Sequence, residues 1–82
     1  MNIKARVYVT LKKSVFDPQG KTIADALLSV GYAGVADVRQ GKFFDVSLEA
    51  DSPEAARASL EEMAHKVLAN PVIESYEIEV DG

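Results

Sequence analysis

The chain contains no cysteine and no tryptophan, and only one histidine occurs among its 82 residues. Without cysteine it can form neither a disulfide framework nor a thiolate zinc site, and one histidine cannot supply a two-histidine metal site. Its apolar runs are far shorter than the roughly 20 residues that span a bilayer. Its formal net charge of -4 also lacks the basic excess typical of nucleic-acid binding. We therefore expect no membrane segment and no nucleic-acid partner.

Length and composition predict one small folded domain over residues 1–82. The apolar share is 48% and the charged share is 27%, which is typical of a globular protein. A domain of this size buries only about 60% of the surface that its unfolded chain exposes, and with no cysteine to cross-link it, oligomerisation is the common remedy. The first residues enter a strand pattern directly, so we expect no targeting signal and a cytoplasmic location.

The first half of the chain predicts a strand and then a helix. Apolar and polar residues alternate over 3–12, which is the period of a strand with one face on a core. Asp17 and Pro18 form a helix start, and the predicted helix covers 18–30 before Gly31. Its apolar stripe, expected to lie on the sheet, consists of Ile23, Ala26, Leu27 and Val30.

The second half predicts a hairpin, a helix and a final strand. Residues 35–39 and 42–50 read as strands joined by a tight turn at Gln40 and Gly41. A second helix starts at Ser52 and Pro53, ends before Pro71, and is followed by a strand that alternates over 75–80. The apolar stripe predicted for the second helix is Ala56, Leu60, Met63, Ala64 and Val67.

The resulting order, β-α-β-β-α-β, predicts an α+β, ferredoxin-like domain with both helices on one face of a four-stranded antiparallel sheet. The other face of the sheet stays open. Exposed aromatic residues on such a face commonly mark a contact surface, and basic residues beside them could meet a partner's acidic patch. The residues predicted for this interface are Arg6, Tyr8, Lys12 and Phe43.

The sequence shows no catalytic, cofactor-binding or metal-binding motif. His65 stands beside acids on the second helix and reads as a solvated helix residue. The carboxylates of the last two strands read as solvated faces rather than as a paired-acid site. The helix start at 17–21 could suggest phosphate binding, but it lacks the glycine density of a phosphate loop.

Four stretches of the chain resemble the PurS family of phosphoribosylformylglycinamidine synthase: residues 7–12, 17–21, 37–42 and 68–74 with 76–79. They follow one another in the family's order and cover nearly the whole chain. Ser14, Val15 and Phe16 depart from the family, which more often has a glycine in that approach. The hallmark residues that carry the resemblance are Asp17, Pro18, Gly20, Gly41, Lys42, Asn70 and Pro71.

The resemblance implies a non-catalytic accessory subunit of that enzyme in de novo purine biosynthesis. A synthetase subunit would use ATP and magnesium to activate formylglycinamide ribonucleotide, and a glutaminase subunit would release ammonia. The PurS-like chain, as a dimer or tetramer, would bridge the two and assist ammonia transfer. The chain would then be part of a ligase complex while binding no cofactor itself.

Three other readings share the predicted element order. An acylphosphatase needs an arginine-bearing phosphate loop after the first strand, where this chain has Lys13 to Phe16. An RNA-recognition module needs stacking aromatics and a basic surface. A small-molecule-sensing or protein-interaction dimer of this fold is the reading that the residues exclude least, and it stays open as the alternative.

Overall fold

A computed structural model of the chain describes residues 1–81. Its elements in chain order are β1 (Asn2–Leu11), α1 (Pro18–Ser29), β2 (Gly41–Glu49), α2 (Pro53–Met63), a π-helical turn (Ala64–Leu68) and β3 (Glu74–Asp81). Within residues 1–81 no helix has both the length and the apolar character that crossing a bilayer requires.

The three strands form one antiparallel sheet in the order β2-β1-β3. Because β1 lies in the centre, its Val7 stands opposite Phe44 of β2 and Ile78 of β3. The alternation predicted for β1 is confirmed, since Ile3, Ala5, Val7 and Val9 are buried while their neighbours are not. This inner face of the sheet carries the core.

Helix α2 covers the inner face of the sheet through Ala56 and Leu60, both completely buried. It starts as predicted, because the Ser52 hydroxyl accepts a hydrogen bond from the Ala55 N–H at 3.1 Å. Beyond Met63 the backbone widens into the π-helical turn, where the Ala69 N–H donates to the carbonyl of Ala64, five residues earlier.

The π-helical turn changes which residue reaches the core at the end of this helix. The predicted stripe placed Val67 in the core, and this prediction is wrong, because Val67 is 79% exposed. Leu68 packs against the core instead. A wider turn rotates the following side chains out of the 3.6-residue period on which the prediction rested.

The α+β class, the antiparallel sheet and the two helices are confirmed, but the predicted strand over 35–39 is wrong. Residues 35–40 are irregular, and β2 begins at Gly41, paired with Thr10 of β1, so there is no hairpin at Gln40 and Gly41. The sheet of the described chain therefore has three strands instead of four. The physical reason is that Arg39 and Gln40 bind the loop before α1, as described below, instead of a neighbouring strand.

Helix α1 does not lie on the sheet, contrary to the prediction. Within residues 1–81 it makes no extensive contact with any strand. Of its predicted stripe, Ile23 is 38% exposed and Val30 is 70% exposed, while only Leu27 is half-buried. Local periodicity correctly gave the helix, but it could not show which surface the helix would face.

Candidate interaction surfaces

The predicted hallmark residue Asp17 joins the start of α1 to the residue before β2. One carboxylate oxygen, Oδ1, accepts from the Gly20 N–H at 2.9 Å, and the other, Oδ2, accepts from the Gln40 N–H at 2.8 Å. Pro18 follows at the first helical position, where no N–H is needed. Asp17 is only 5% exposed, so its carboxylate is held inside the junction.

The surroundings of Asp17 favour its charged form. The pKa of its carboxyl lies below the ordinary value, chiefly because of the hydrogen bond from Gln40, then that from Gly20, with help from the nearby charge of Arg39. Hydrogen bonds to a carboxylate stabilise the anion over the neutral acid. The junction is therefore strongest when Asp17 is ionised.

Two of the hallmark glycines lie where a side chain would collide with the backbone. A Cβ at Gly20 would meet the carbonyl oxygen of Val38 and come within 2.8 Å of Asp17 Oδ2. A Cβ at Gly41 would come within 2.7 Å of the Val9 carbonyl oxygen. Both glycines therefore allow close approach of two chain segments.

Arg39 closes the loop that leads from β1 to α1. Its Nη2 donates to the carbonyl oxygens of Lys12 at 3.0 Å and Val15 at 2.7 Å. Beside it, the Gln40 side chain donates to Gln19 Oε1 at 2.6 Å. The sequence analysis assigned Gln40 to a hairpin turn and did not predict the contacts of Arg39 and Gln40, although both residues lie in the hallmark stretch 37–42.

The remaining hallmark residues lie in or beside the turn before β3. Asn70 Oδ1 accepts from the Val72 N–H at 3.1 Å, and the Asn70 N–H donates to Glu74 Oε1 at 2.7 Å. Pro71 lies within this turn. Glu74 also stands 4.0 Å from the Lys42 ammonium, which lies 5.7 Å from the ring centre of Phe44.

These segments meet at one end of the sheet. The Lys12 N–H, just after β1, donates to the Ile73 carbonyl at 2.9 Å, which ties the Asn70 turn to the loop that Arg39 closes. A shallow depression of about 250 Å³ lies at this end of the sheet. Its polar lining includes Asp17, Gln19, Gln40, Lys42 and Glu74.

Three of the four predicted interface residues come together on the open face of the sheet. The Arg6 guanidinium carbon lies 4.3 Å from the ring centre of Phe43, and the rings of Tyr8 and Phe43 are 6.3 Å apart. Arg6 Nε also donates to Asp45 Oδ1 at 2.8 Å, and this hydrogen bond raises the pKa of the guanidinium. Lys12 lies apart from them, exposed and just beyond the end of β1.

The open face thus has an aromatic centre with charged neighbours. Phe43 is 53% exposed, and Glu77 and Glu79 of β3 stand opposite Tyr8 and Arg6 in the register. An apolar centre surrounded by polar residues is typical of surfaces that bind another protein. An exposed aromatic centre with charged neighbours suits contact with another protein better than catalysis.

The candidate acids and the histidine have structural or solvent-facing positions. Glu74 caps the Asn70 turn, and Asp45 pairs with Arg6. His65 lies exposed in the π-helical turn. In the part of the chain that the structure describes, no three His, Asp or Glu side chains are grouped so as to hold a metal ion.

Comparison with known proteins places the whole chain in one family. The model of the family described as PurS, phosphoribosylformylglycinamidine (FGAM) synthase, matches residues 4–82. The PurS subunit of Bacillus subtilis is 46% identical over 78 residues, which cover 95% of this chain and 92% of the relative. The PurS subunit of Methanocaldococcus jannaschii is 44% identical, again over 78 residues, covering 95% and 94%.

Solved structures agree with this assignment. The Bacillus subtilis PurS structure aligns with a TM-score of 0.86 and 45% identity over 100% of both chains. A chain of the Thermotoga maritima PurLQS structure aligns with a TM-score of 0.90 and 30% identity over 99% of both chains. The chain belongs to the PurS family, the family of a phosphoribosylformylglycinamidine synthase subunit.

Proposed function

We propose that the chain is the non-catalytic accessory subunit of phosphoribosylformylglycinamidine synthase. In this role it bridges a glutaminase subunit and an ATP-dependent synthetase subunit, and it assists the transfer of ammonia between them. The complex converts formylglycinamide ribonucleotide into formylglycinamidine ribonucleotide in the cytoplasm. The observation that carries the proposal is the full-length match to PurS chains, including one from the PurLQS structure of Thermotoga maritima.

The arrangement of the polar side chains supports a structural part in that complex. Asp17 holds two backbone N–H groups, Arg39 holds two backbone carbonyls, and Arg6 is paired with Asp45. Each of these groups therefore stabilises the chain's own shape. ATP and magnesium belong, in this proposal, to the synthetase partner.

The chemistry of ammonia explains why a subunit that bridges two active sites would be useful. Free ammonia is largely protonated near neutral pH, and the protonated form is no nucleophile. Two active sites that are held together and shielded from water therefore deliver more unprotonated ammonia than free diffusion would. The open face around Phe43 and the sheet end around Asp17 are the two surfaces that we assign to docking. Self-association as a dimer or tetramer is part of the same proposal.

Reconstitution of the complex tests this function. The purified chain is mixed with the synthetase and glutaminase subunits of its own organism, and product formation is followed with glutamine as the nitrogen source. Omitting the chain should lower the glutamine-dependent rate by at least about tenfold, because the two active sites are then no longer held together. The rate with added ammonium salt serves as the control, since it bypasses transfer and should change much less. An unchanged glutamine-dependent rate without the chain would refute the proposal.

A further inference from the structure

Two loops at one end of the sheet are joined to each other. They are residues 12–16, which follow β1, and residues 70–73, which precede β3. The Lys12 N–H donates to the Ile73 carbonyl at 2.9 Å, and the Val15 N–H donates to the Lys12 carbonyl, also at 2.9 Å. We call the surface formed by these two loops the loop patch.

Side-chain hydrogen bonds hold each loop in one shape. In the first loop, Arg39 Nη2 binds the carbonyl oxygens of Lys12 and Val15 together. In the second, Asn70 Oδ1 accepts from the Val72 N–H at 3.1 Å. A partner that docks onto these loops therefore meets an ordered surface, and little conformational entropy is lost when it binds.

The loop patch exposes large apolar side chains. Phe16 of the first loop is 67% exposed, and Val72 and Ile73 of the second loop are 77% and 39% exposed. A single exposed apolar residue is ordinary on a protein surface, but three on two ordered loops that bond to each other are typical of a contact surface. The loop patch therefore has the apolar content that docking requires.

The charge of the loop patch is opposite to that of the chain. Lys12 and Lys13 are exposed, and they are the only charged residues in 12–16 and 70–73. Within residues 1–81 neither lysine lies in an ion pair. The chain as a whole has a net charge of -4, so this end of the sheet is a positive area on an acidic molecule.

We infer that the loop patch docks an apolar surface edged with carboxylates on one of the two partner subunits. The two lysines attract such a surface and the acidic remainder of the chain repels it, so its approach is directed to this end of the sheet. The apolar side chains then supply affinity once water is excluded. The inference rests on the proposed bridging function and deepens it by identifying the chemistry of the partner surface.

Titration of the reconstituted complex tests the apolar contact. The glutamine-dependent rate is measured against the concentration of the chain, with the synthetase and glutaminase subunits held constant. Phe16→Ser should raise the half-maximal concentration at least about tenfold, and Val72→Ser at least about threefold. Val67→Ser is the matched control, since Val67 is 79% exposed on the π-helical turn, and it should stay within about twofold. The rate at saturating chain should equal the parent's in all three variants, because only occupancy changes.

The salt dependence of the same titration tests the charge of the partner surface. Screening should raise the parent's half-maximal concentration between about 50 and 300 mM KCl. In the double variant Lys12→Gln/Lys13→Gln this increase should be at most about half as steep. The control Lys4→Gln/Lys66→Gln makes the same change of net charge at exposed positions elsewhere, and its salt dependence should match the parent's.

The outcomes separate the inference from the function on which it rests. Half-maximal concentrations that match the parent's for Phe16→Ser and Val72→Ser, in a complex that still requires the chain, would overturn the inference and leave the bridging function intact. Equal salt dependence in the two double variants would do the same.

Sedimentation of the variants without partner subunits provides the remaining comparison. We expect Phe16→Ser and Val72→Ser to keep the parent's oligomeric state and its unfolding midpoint in urea. A variant that loses self-association instead of partner binding would overturn the inference, because the loop patch would then face a second copy. A complex whose glutamine-dependent rate does not depend on the chain at all would overturn the inference and the proposed function together.

Discussion

The sheet with α2 and the separate helix α1 show the same kind of apolar periodicity in sequence, but only the first pair buries its apolar residues. In the sheet and α2, the apolar periods predicted from sequence end in a core in which Val7 and Leu60 are 0% exposed. In α1 and its C-terminal cap, an equally regular period leaves Val30 70% exposed. Both patterns correctly predicted a helix or a strand. Only the apolar sides of the sheet and α2 are covered by other parts of the same chain.

This contrast shows what an amphipathic pattern does and does not encode. The pattern specifies that one side of an element is to be buried, and it contains nothing about which chain supplies the partner surface. For β1 and α2 the partner surfaces lie within the same chain. For α1 the strands within residues 1–81 supply no extensive contact, and the junction at Asp17 fixes only where the helix starts.

The largest loss of stability is expected for a substitution in the core between the sheet and α2. Leu60→Ala should lower the free energy of unfolding by about 3–4 kcal/mol, because it removes a fully buried side chain and leaves a cavity. Leu28→Ala in α1, where the side chain is 44% exposed and lies outside the apolar stripe predicted for this helix, should change it by less than about 0.5 kcal/mol. Urea denaturation at one fixed protein concentration measures both. Equal losses of unfolding free energy in the two variants would contradict the distinction between a packed sheet with α2 and an exposed α1.

The junction between the halves is the next target. Gly20→Ala should lower the free energy of unfolding by about 2 kcal/mol, because its Cβ would meet the Val38 carbonyl and push α1 from the irregular segment before β2. Gly34→Ala is the matched control, since within residues 1–81 no atom beyond its two chain neighbours lies within 4 Å of the Cβ it would carry. Thermal unfolding of the two variants compares them. A Gly20→Ala chain as stable as Gly34→Ala would show that the halves are not held together at this point.

The same junction should respond to pH. The folded state depresses the pKa of Asp17, so its contribution to stability is complete above the ordinary carboxyl pKa of about 3.9 and is lost as the pH falls through the lower folded value. We expect Asp17→Asn to be less stable than the parent at pH 7, and the gap to narrow as the pH falls below about 4.

Unfolding curves between pH 7 and pH 2.5 measure this gap. Asp25→Asn is the control, because Asp25 lies in an exposed pair with Lys21 and should give a gap that is small at every pH. A gap for Asp17→Asn that stays constant down to the lowest pH would contradict the assignment of the junction to the ionised carboxylate.

Much of the fold could be predicted from sequence because its signals are local. The period-two alternation around Val7 and the proline starts at Pro18 and Pro53 specify their elements within a few residues. The strand predicted over 35–39 failed because the Arg39 side chain and the N–H of the following Gln40 bond to a distant loop, at Lys12, Val15 and Asp17. The prediction that Val67 is buried failed because the π-helical turn rotates this side chain outward. No residue type in the local sequence predicts such a turn.

The candidate surfaces were predictable to a different degree. Arg6, Tyr8 and Phe43 fall together because strand alternation and pairing register are regular. The meeting of Gly20 with Val38, and of Lys12 with Ile73, depends on loop paths that periodicity does not describe. The hallmark stretches were visible in sequence, but their shared place at one end of the sheet required the structure.

The smallest effect on folding is expected on the open face, and it separates folding from docking. Phe43 is 53% exposed, so Phe43→Ser should change the free energy of unfolding by less than about 0.5 kcal/mol. If this face docks onto a partner subunit, the same change should lower the glutamine-dependent rate of the reconstituted complex several-fold, because an aromatic anchor is lost from the centre of the contact. Val67→Ser removes an even more exposed apolar side chain (79%) from the π-helical turn, on the far side of the sheet's core, and should leave that rate unchanged. A loss of rate in both variants, or in neither, would show that the open face has no special part in assembly.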